Sequence, residues 1–351
     1  MWNYFLRRFV YGVLVLFGVV IIIFLMFKVM PDPSRMTMGQ RADQASLDAV
    51  KERYHLDKSV GQQLVLYLND LSPISLYEHT EANEKEYAYT HLASLGSKSL
   101  VAKMPYLNRS MQTNKRVTAV IWEALPTTMI LGITAITIAT ILGIFFGIIA
   151  SLNPFTWIDN TILASTTLGI SQPSYFSGVV LGLVFGYWLS DWTGLTTSGP
   201  LFDLEGLDDK WVFKPKHLIL PAIALGIRPI SIIVMLTRAT MLEVLSQDYI
   251  RTAKAKGLSN NVVVFKHALR NALNPVVTTV SGWFASVLAG AFFIEIIFDC
   301  KGLGFETVTA LNNIDLPVVM GSVLFIAALF VTVNLFVDMI YGFLDPRVSY
   351  E

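Results

Sequence analysis

The chain has 351 residues, 54% of them hydrophobic and only 15% charged, with 26 basic and 26 acidic side chains and no net charge. Soluble domains carry about 25% charged residues, so this composition argues against one. The one cysteine, Cys300, excludes an intrachain disulfide, and no Cys/His set has metal-ligand spacing.

The charges are segregated. The stretches 9–27, 124–150, 160–190, 271–294 and 316–337 contain no Asp, Glu, Lys or Arg, and each has at least 19 residues. A helix needs roughly 20 apolar residues to cross a bilayer. A sixth stretch, 217–237, is interrupted only by Arg228. The expected fold is all-α: a polytopic membrane protein with six transmembrane helices. The first, 1–30, opens on "MWNYFLRRFVYGVLVLFGVV", a basic start and an apolar run without a small-x-small cleavage site. It reads as an uncleaved helix.

Orientation follows from Lys and Arg in the short loops. With the N-terminus inside, the inner segments hold Arg7, Arg8, Arg238, Arg251, Lys254, Lys256, Lys266, Arg270 and Arg347, nine in all, and the outer loops hold Lys210, Lys214, Lys216 and Lys301, four in all. Both termini are expected in the cytoplasm. Segment 31–116 is then an extracytoplasmic insert. Leu47, Val50 and Tyr54 in it have helical spacing, as do Leu64, Leu68 and Leu71. The part from 72 to 115 receives no structural assignment.

The core, 117–351, carries small residues at membrane-packing intervals: Gly143 and Gly147, and Gly178, Gly182 and Gly186. Pro173 in "GISQPSYFSG" removes a ladder hydrogen bond and bends the third span. The freed carbonyl must face protein or water, so Gln172 and Pro173 are candidate cavity lining. Arg228 lies deep in the fourth span, where a lone Arg costs roughly 2.5–3.5 kcal/mol. It is expected on the translocation path, contacting a solute carboxylate, with Glu295 and Asp338 as alternative counter-charges. Glu295 near the outer end of the fifth span, and Asn334 in the last, join the candidate path.

Between spans four and five lies "QDYIRTAKAKGLSNNVVVFKHALRNALNP", residues 247–275, with five Lys or Arg residues and one acid. The pattern predicts that span four continues as a helix to Lys256, that Gly257 supplies a left-handed cap, and that Ser259 starts a second helix ending at Asn274-Pro275. Val262, Val263, Phe265 and Leu269 are expected on its apolar side, Lys266 and Arg270 on another. His267 stands alone, without a catalytic partner. Shape is what this elbow offers: a rigid handle that another protein could grip. The alternative is a basic loop touching anionic lipid.

These strings closely resemble the cytoplasmic loop of binding-protein-dependent ATP-binding-cassette importer permeases of the dipeptide/oligopeptide/nickel class. That family's loop pattern, Glu-Ala-Ala then Gly, falls here on Arg251, Thr252, Ala253 and Gly257, so the Glu and first Ala are not kept. "DYIRTAKAKGLS", "KHALRNALNP", "ALPTTMILG" (124–132), "HLILPAIALG" (217–226), "GLG" (302–304), "LPVVMGSVLF" (316–325), "NLFVDMIYGFLDPRV" (334–348) and "YHLDKSVGQQLVLYL" (54–68) extend the resemblance over nearly all the chain. It implies a type I importer permease fold in a bacterial cytoplasmic (inner) membrane. Implied partners are a second homologous permease, two cytoplasmic ATPase subunits, an extracytoplasmic solute-binding protein and membrane lipid, with no nucleic acid. The coupling residues it implies are Tyr249, Arg251, Thr252, Ala253, Gly257, Leu258, Ser259, Lys266, His267 and Arg270. No cofactor is expected on this chain and ATP is expected to be hydrolysed by partner subunits, because no phosphate-binding G-x-x-x-x-G-K-[ST] string is present; "GSKS" at 96–99 fails the spacing. The alternatives are an ion-coupled secondary transporter, which would show internal repeats and mid-span acids, and a membrane subunit docking a non-ATPase partner. An intramembrane enzyme would need paired catalytic groups at depth, and none is evident.

Overall fold

A computed structural model describes residues 2–29, 48, 51, 52, 54–78, 80–96, 98–205 and 210–344. Leu47, Val50 and Arg347, used above, lie outside the described residues. In chain order the elements are α1 (Trp2–Val29), α2 (Val60–Leu71), β1 (Ile74–Glu78), α3 (Glu81–Tyr87), β2 (Thr90–Leu95), β3 (Lys98–Ala102), α4 (Val117–Leu152), α5 (Trp157–Ser171), α6 (Ser174–Leu181), α7 (Ser190–Thr193), β4 (Phe202–Glu205), β5 (Lys210–Phe213), α8 (Lys216–Leu245), α9 (Asp248–Ala255), α10 (Leu269–Ile297), α11 (Leu303–Asn312) and α12 (Leu316–Leu344). Five helical stretches are long and apolar enough to span: Leu6–Lys28, Val117–Leu152, Lys216–Leu245, Val262–Ile297 and Leu316–Met339. The sixth expected span is a broken pair, Trp157–Ser171 and Ser174–Trp188, bent by 111°. Pro173 therefore does more than kink a helix. Gln172 is extended and ends α5, and Pro173 is extended and precedes α6.

The chain divides into two compact units, one formed by Phe9–Ala124 and Glu306–Ala328, the other by Met1–Arg8, Leu125–Phe305 and Leu329–Glu351. In the first, α2 forms where the 64/68/71 spacing predicts a helix, and Gln62 Oε1 accepts from the Ser59 N–H at its start (3.3 Å). The unassigned segment folds as a three-stranded antiparallel sheet, in the order β1-β3-β2. The insert thus adds a small sheet to the helix expected at 64–71. Its interior is aromatic: Tyr77 stacks on Tyr87 at 4.1 Å and donates to Asp70 Oδ1 at 2.6 Å. Lys103 lies over both rings, and burial brings its ammonium down to about 8. In "GSKS", Gly96 follows β2 with φ +65°, and Lys98 and Ser99 open β3. Asp315 accepts from the Ser110 hydroxyl and from the Met111 N–H (3.0 Å), pinning the loop before α4 to the start of α12.

In the second unit α8 is the central helix, packed against α10, α5 and α6. Leu131, Ala135, Leu225, Ala291, Ile294 and Phe298 form its main core. Gly143 and Gly147 are small because α8 crosses there. A Cβ on Gly143 would lie 2.5 Å from Ile233 Cγ2, and one on Gly147 would lie 2.5 Å from Thr237 Cβ. A Cβ on Gly178 would lie 3.0 Å from Ile294 Cδ1, one on Gly182 only at ordinary contact distance from Phe298 (3.6 Å), and Gly186 meets the backbone of Thr197. The Gly143/Gly147 spacing is thus used for close helix approach.

An ion pair not anticipated from the sequence ties the broken span to α8. Thr156 caps α5, and Asp159 in its first turn accepts from the Phe155 N–H at 2.9 Å. Arg238 then grips both Asp159 oxygens, Nε to Oδ1 and Nη2 to Oδ2, each at 2.6 Å. The Asp159 side chain is 1% exposed and that of Arg238 17%. This bidentate geometry is the strong form of the interaction.

Two outcomes follow for purified protein in detergent. Gly147→Val overpacks the α4–α8 crossing and costs about 1–3 kcal/mol, read as a fall in Tm. Arg238→Met strands the Asp159 carboxylate and costs about 2–3 kcal/mol, less than a fully buried pair because Arg238 is partly exposed. Adding Asp159→Asn to it recovers much of that loss.

Candidate functional site

The elbow 247–275 is built from two short helices, but not by the expected continuation. α8 stops at Leu245, Gln247 is extended, and α9 begins anew at Asp248. At its far end the Gly257 N–H donates to the Lys254 carbonyl at 3.0 Å and the Leu258 N–H to the Ala253 carbonyl at 3.4 Å. These two bonds make a Schellman cap, which requires φ > 0 at Gly257, and its φ is +76°. A Cβ there would meet nothing within 4 Å, so conformation rather than space selects glycine. Val263 N–H then bonds the Ser259 carbonyl at 3.0 Å, which starts the second helix. That helix does not end at Asn274-Pro275. It runs as a π-helical stretch over Val262–Ala268 and continues as α10, with Pro275 inside it.

The π stretch also corrects the apolar face. Its i→i+5 bonding shifts the side-chain register. Val263, Val264 and Ala268 are buried with Ile250 and Ala253 of α9, packed on Ile148 of α4 and Met241 of α8. Val262 and Phe265, expected on that side, are exposed instead, Phe265 by 58%. Leu269 is half-buried. Tyr249 and Leu258 are also exposed large side chains. Around them stand Arg251, Thr252, Ser259, Lys266 and Arg270, all exposed, with His267 half-buried. Asn271 Nδ2 donates to the Tyr249 hydroxyl oxygen at 2.8 Å and so joins the two limbs. The arrangement is a stiff bend, anchored by a buried apolar seam, that displays aromatic, aliphatic and cationic groups outward.

The expected path residues do not form one cluster. Gln172 is half-buried and Pro173 exposed at the break. Asn334 donates to its own helix, at the Phe330 carbonyl (2.9 Å). Glu295 is fully buried rather than lining an open surface. Its Oε1 accepts from the Thr128 hydroxyl at 2.7 Å, and its Oε2 from the N–H groups of Gly304 (2.8 Å) and Phe305 (3.1 Å). Thr128 Oγ1 in turn accepts from the Leu303 N–H at 2.8 Å. The "GLG" string closes this cage: a Cβ on Gly302 would sit 2.5 Å from the Glu295 carboxyl. Asp338 pairs with Arg8 at 3.2 Å. Neither acid therefore serves as counter-charge to Arg228, which lies over the Trp283 ring, 5.7 Å from its centre.

Thr128, Asp159, Trp283 and Gly302 were absent from the sequence-based candidates. The one local signal was Thr156-x-x-Asp159, an N-terminal capping spacing at the edge of an uncharged run. Among the described residues, no group of three His, Cys, Asp or Glu side chains is placed to hold a metal ion.

Comparison with known proteins identifies the family. The profile of the family described as binding-protein-dependent transport system inner membrane component matches residues 143–350, and that of the N-terminal part of such membrane components matches residues 1–132. A dipeptide transport system permease protein of Alkalihalophilus pseudofirmus is 34% identical, over 99% of each chain. A di/tripeptide transport system permease protein of Pseudomonas aeruginosa is 33% identical over 95% of each chain. The dipeptide permease of Bacillus subtilis is 41% identical over 64% of this chain and 68% of its own. Among solved structures, the inward-facing MetNI methionine ABC transporter matches 64% of this chain and 95% of its own, at 14% identity and TM-score 0.47. The chain thus belongs to the family of binding-protein-dependent transport system inner membrane components, as a multi-pass permease subunit of an ATP-driven importer whose ATP is hydrolysed by separate subunits.

Proposed function

We propose that this permease carries short peptides, and that the elbow 247–275 is the grip of a cytoplasmic ATPase subunit. The solute class is supported by relatives named for dipeptides and di/tripeptides at 33–41% identity. The coupling role rests on one observation above all: a capped, internally packed bend whose exposed face carries Tyr249, Leu258 and Phe265 among Arg251, Lys266 and Arg270. Large apolar and aromatic groups do not favour solvent, and a rigid display of them beside cations suits a protein partner.

In this reading the elbow and both termini face the cytoplasm, as the excess of Lys and Arg on that side favours. The insert 31–116 faces outward, within reach of a solute-binding protein. A second, homologous permease completes the membrane pair, and two ATPase subunits each hold one elbow. Gln172, Pro173, Arg228 and Asn334 border the route taken by the solute. Glu295, closed in its cage, braces the end of α10 instead.

Two measurements on the complex reconstituted with its ATPases and binding protein test this. Phe265→Glu is expected to weaken ATPase binding by about 2 kcal/mol or more, a hot-spot loss. The Tm of the chain should hold, because the side chain is exposed. Unchanged co-purification of ATPase would reject the grip. Labelled dialanine is expected to accumulate in proteoliposomes on addition of ATP, and failure to do so would reject the peptide assignment.

A further inference from the structure

Within the second unit the candidate counter-charges are already engaged. Asp159 is held by Arg238, Asp338 by Arg8, and Glu295 by the Thr128 hydroxyl and two backbone N–H groups. Arg228 differs. It sits on α8, an apolar helix that spans from Lys216 to Leu245. Its side chain is exposed, and none of the ion pairs among the described residues includes it. Its partner is the indole of Trp283, 5.7 Å away.

Trp283 is well fixed, packed with Val280 and Phe284 against the core of the unit. A guanidinium held over an aromatic face keeps its in-plane N–H fork available, and that fork matches a carboxylate bidentately. An Arg turned toward hydrocarbon would be costly, so this face belongs to water or protein. Along α10 on either side of Trp283 the exposed positions Thr278, Gly282, Ser286, Ala289 and Gly290 are small or polar, bounded by the larger Val277 and Phe293, and a Cβ on Gly282 would meet nothing within 4 Å. The stretch between those two large side chains leaves side-chain space.

We propose that Arg228, backed by Trp283, receives the carboxylate of the solute during its passage. On the peptide reading above, on which this rests, the group received is the C-terminal carboxylate of a short peptide. The ring fixes the cation. The small residues of α10 leave side-chain space unselected, so recognition falls on a group that peptides of any sequence share.

The test uses the assembled complex in inside-out vesicles without binding protein, so that only the permease pair can discriminate. Gly282→Cys provides a reporter beside Trp283, and the chain's own Cys300 is buried. Dialanine is expected to slow maleimide alkylation of this cysteine several-fold, dialanine amide is not, and adding Arg228→Gln abolishes the protection. Equal protection by acid and amide, or no protection by either, overturns the assignment. Arg228→Gln in the otherwise unaltered chain gives a second reading. Dialanine uptake should fall roughly tenfold, the worth of a charge-assisted hydrogen bond, with subunit composition unchanged. Unchanged uptake overturns the assignment, and so does loss of the second permease from the complex, which would make Arg228 an interface residue. A wild-type complex that takes up no dialanine at all refutes the peptide reading itself, a result separable from these.

Discussion

An ionised side chain facing hydrocarbon without a partner costs several kcal/mol, and the spans of this chain are arranged around that cost. Three solutions are visible. Asp159 and Arg238 neutralise each other through two 2.6 Å bonds, and in doing so they fasten the broken span to α8. Glu295 is enclosed by a hydroxyl and two backbone N–H groups, which fastens the loop after α10. Arg228 lies over an aromatic face, and no ion pair among the described residues includes it. The first two solutions spend charge on architecture, and in our proposal the third leaves a charge for a solute.

The same solvent limits where helices can stop. A backbone interruption at membrane depth must find hydrogen bonds in the protein. The break at Gln172-Pro173 meets that demand in part, with the Gln172 N–H donating to the Leu168 carbonyl at 3.2 Å. Between Gly257 and Gly302 the chain is one uninterrupted helical stretch, Val262–Ile297, of 36 residues. At 1.5 Å per residue that is about 54 Å. It carries Lys266 and Phe265 near one end, Trp283 along its length and Glu295 near the other. In the proposed mechanism this continuity matters more than any single contact. A displacement of the elbow would pass along this one helix, through Pro275, to the ring that backs Arg228.

Much of this was legible in the sequence because it depends on local rules. Uncharged runs marked the spans, and Gly257 marked a bend because few other residues tolerate its φ of +76°. Gly143 and Gly147 marked a helix crossing because only a missing side chain admits Ile233 and Thr237. What escaped depends on partners far along the chain. Thr128 and Glu295 are 167 positions apart, Asp159 and Arg238 79. Pro173 announced a bend but not one of 111°, since that angle is set by packing on α8 and α10. The apolar face of the elbow was misjudged because a π stretch, rather than an α-helix, sets its register. The sheet of the insert was hidden for a different reason. β1 buries Ser75 and Tyr77 and exposes Ile74 and Leu76, against the usual hydrophobic alternation.

The account stands or falls on which side of the membrane the elbow occupies and what covers it. Ser259 is exposed at the start of the second limb, so Ser259→Cys can be probed with a membrane-impermeant maleimide. Labelling is predicted in inside-out vesicles stripped of ATPase subunits, with protection when those subunits are restored and none from outside intact cells. Labelling from outside intact cells would contradict the account, as would labelling in vesicles that the ATPase leaves unchanged.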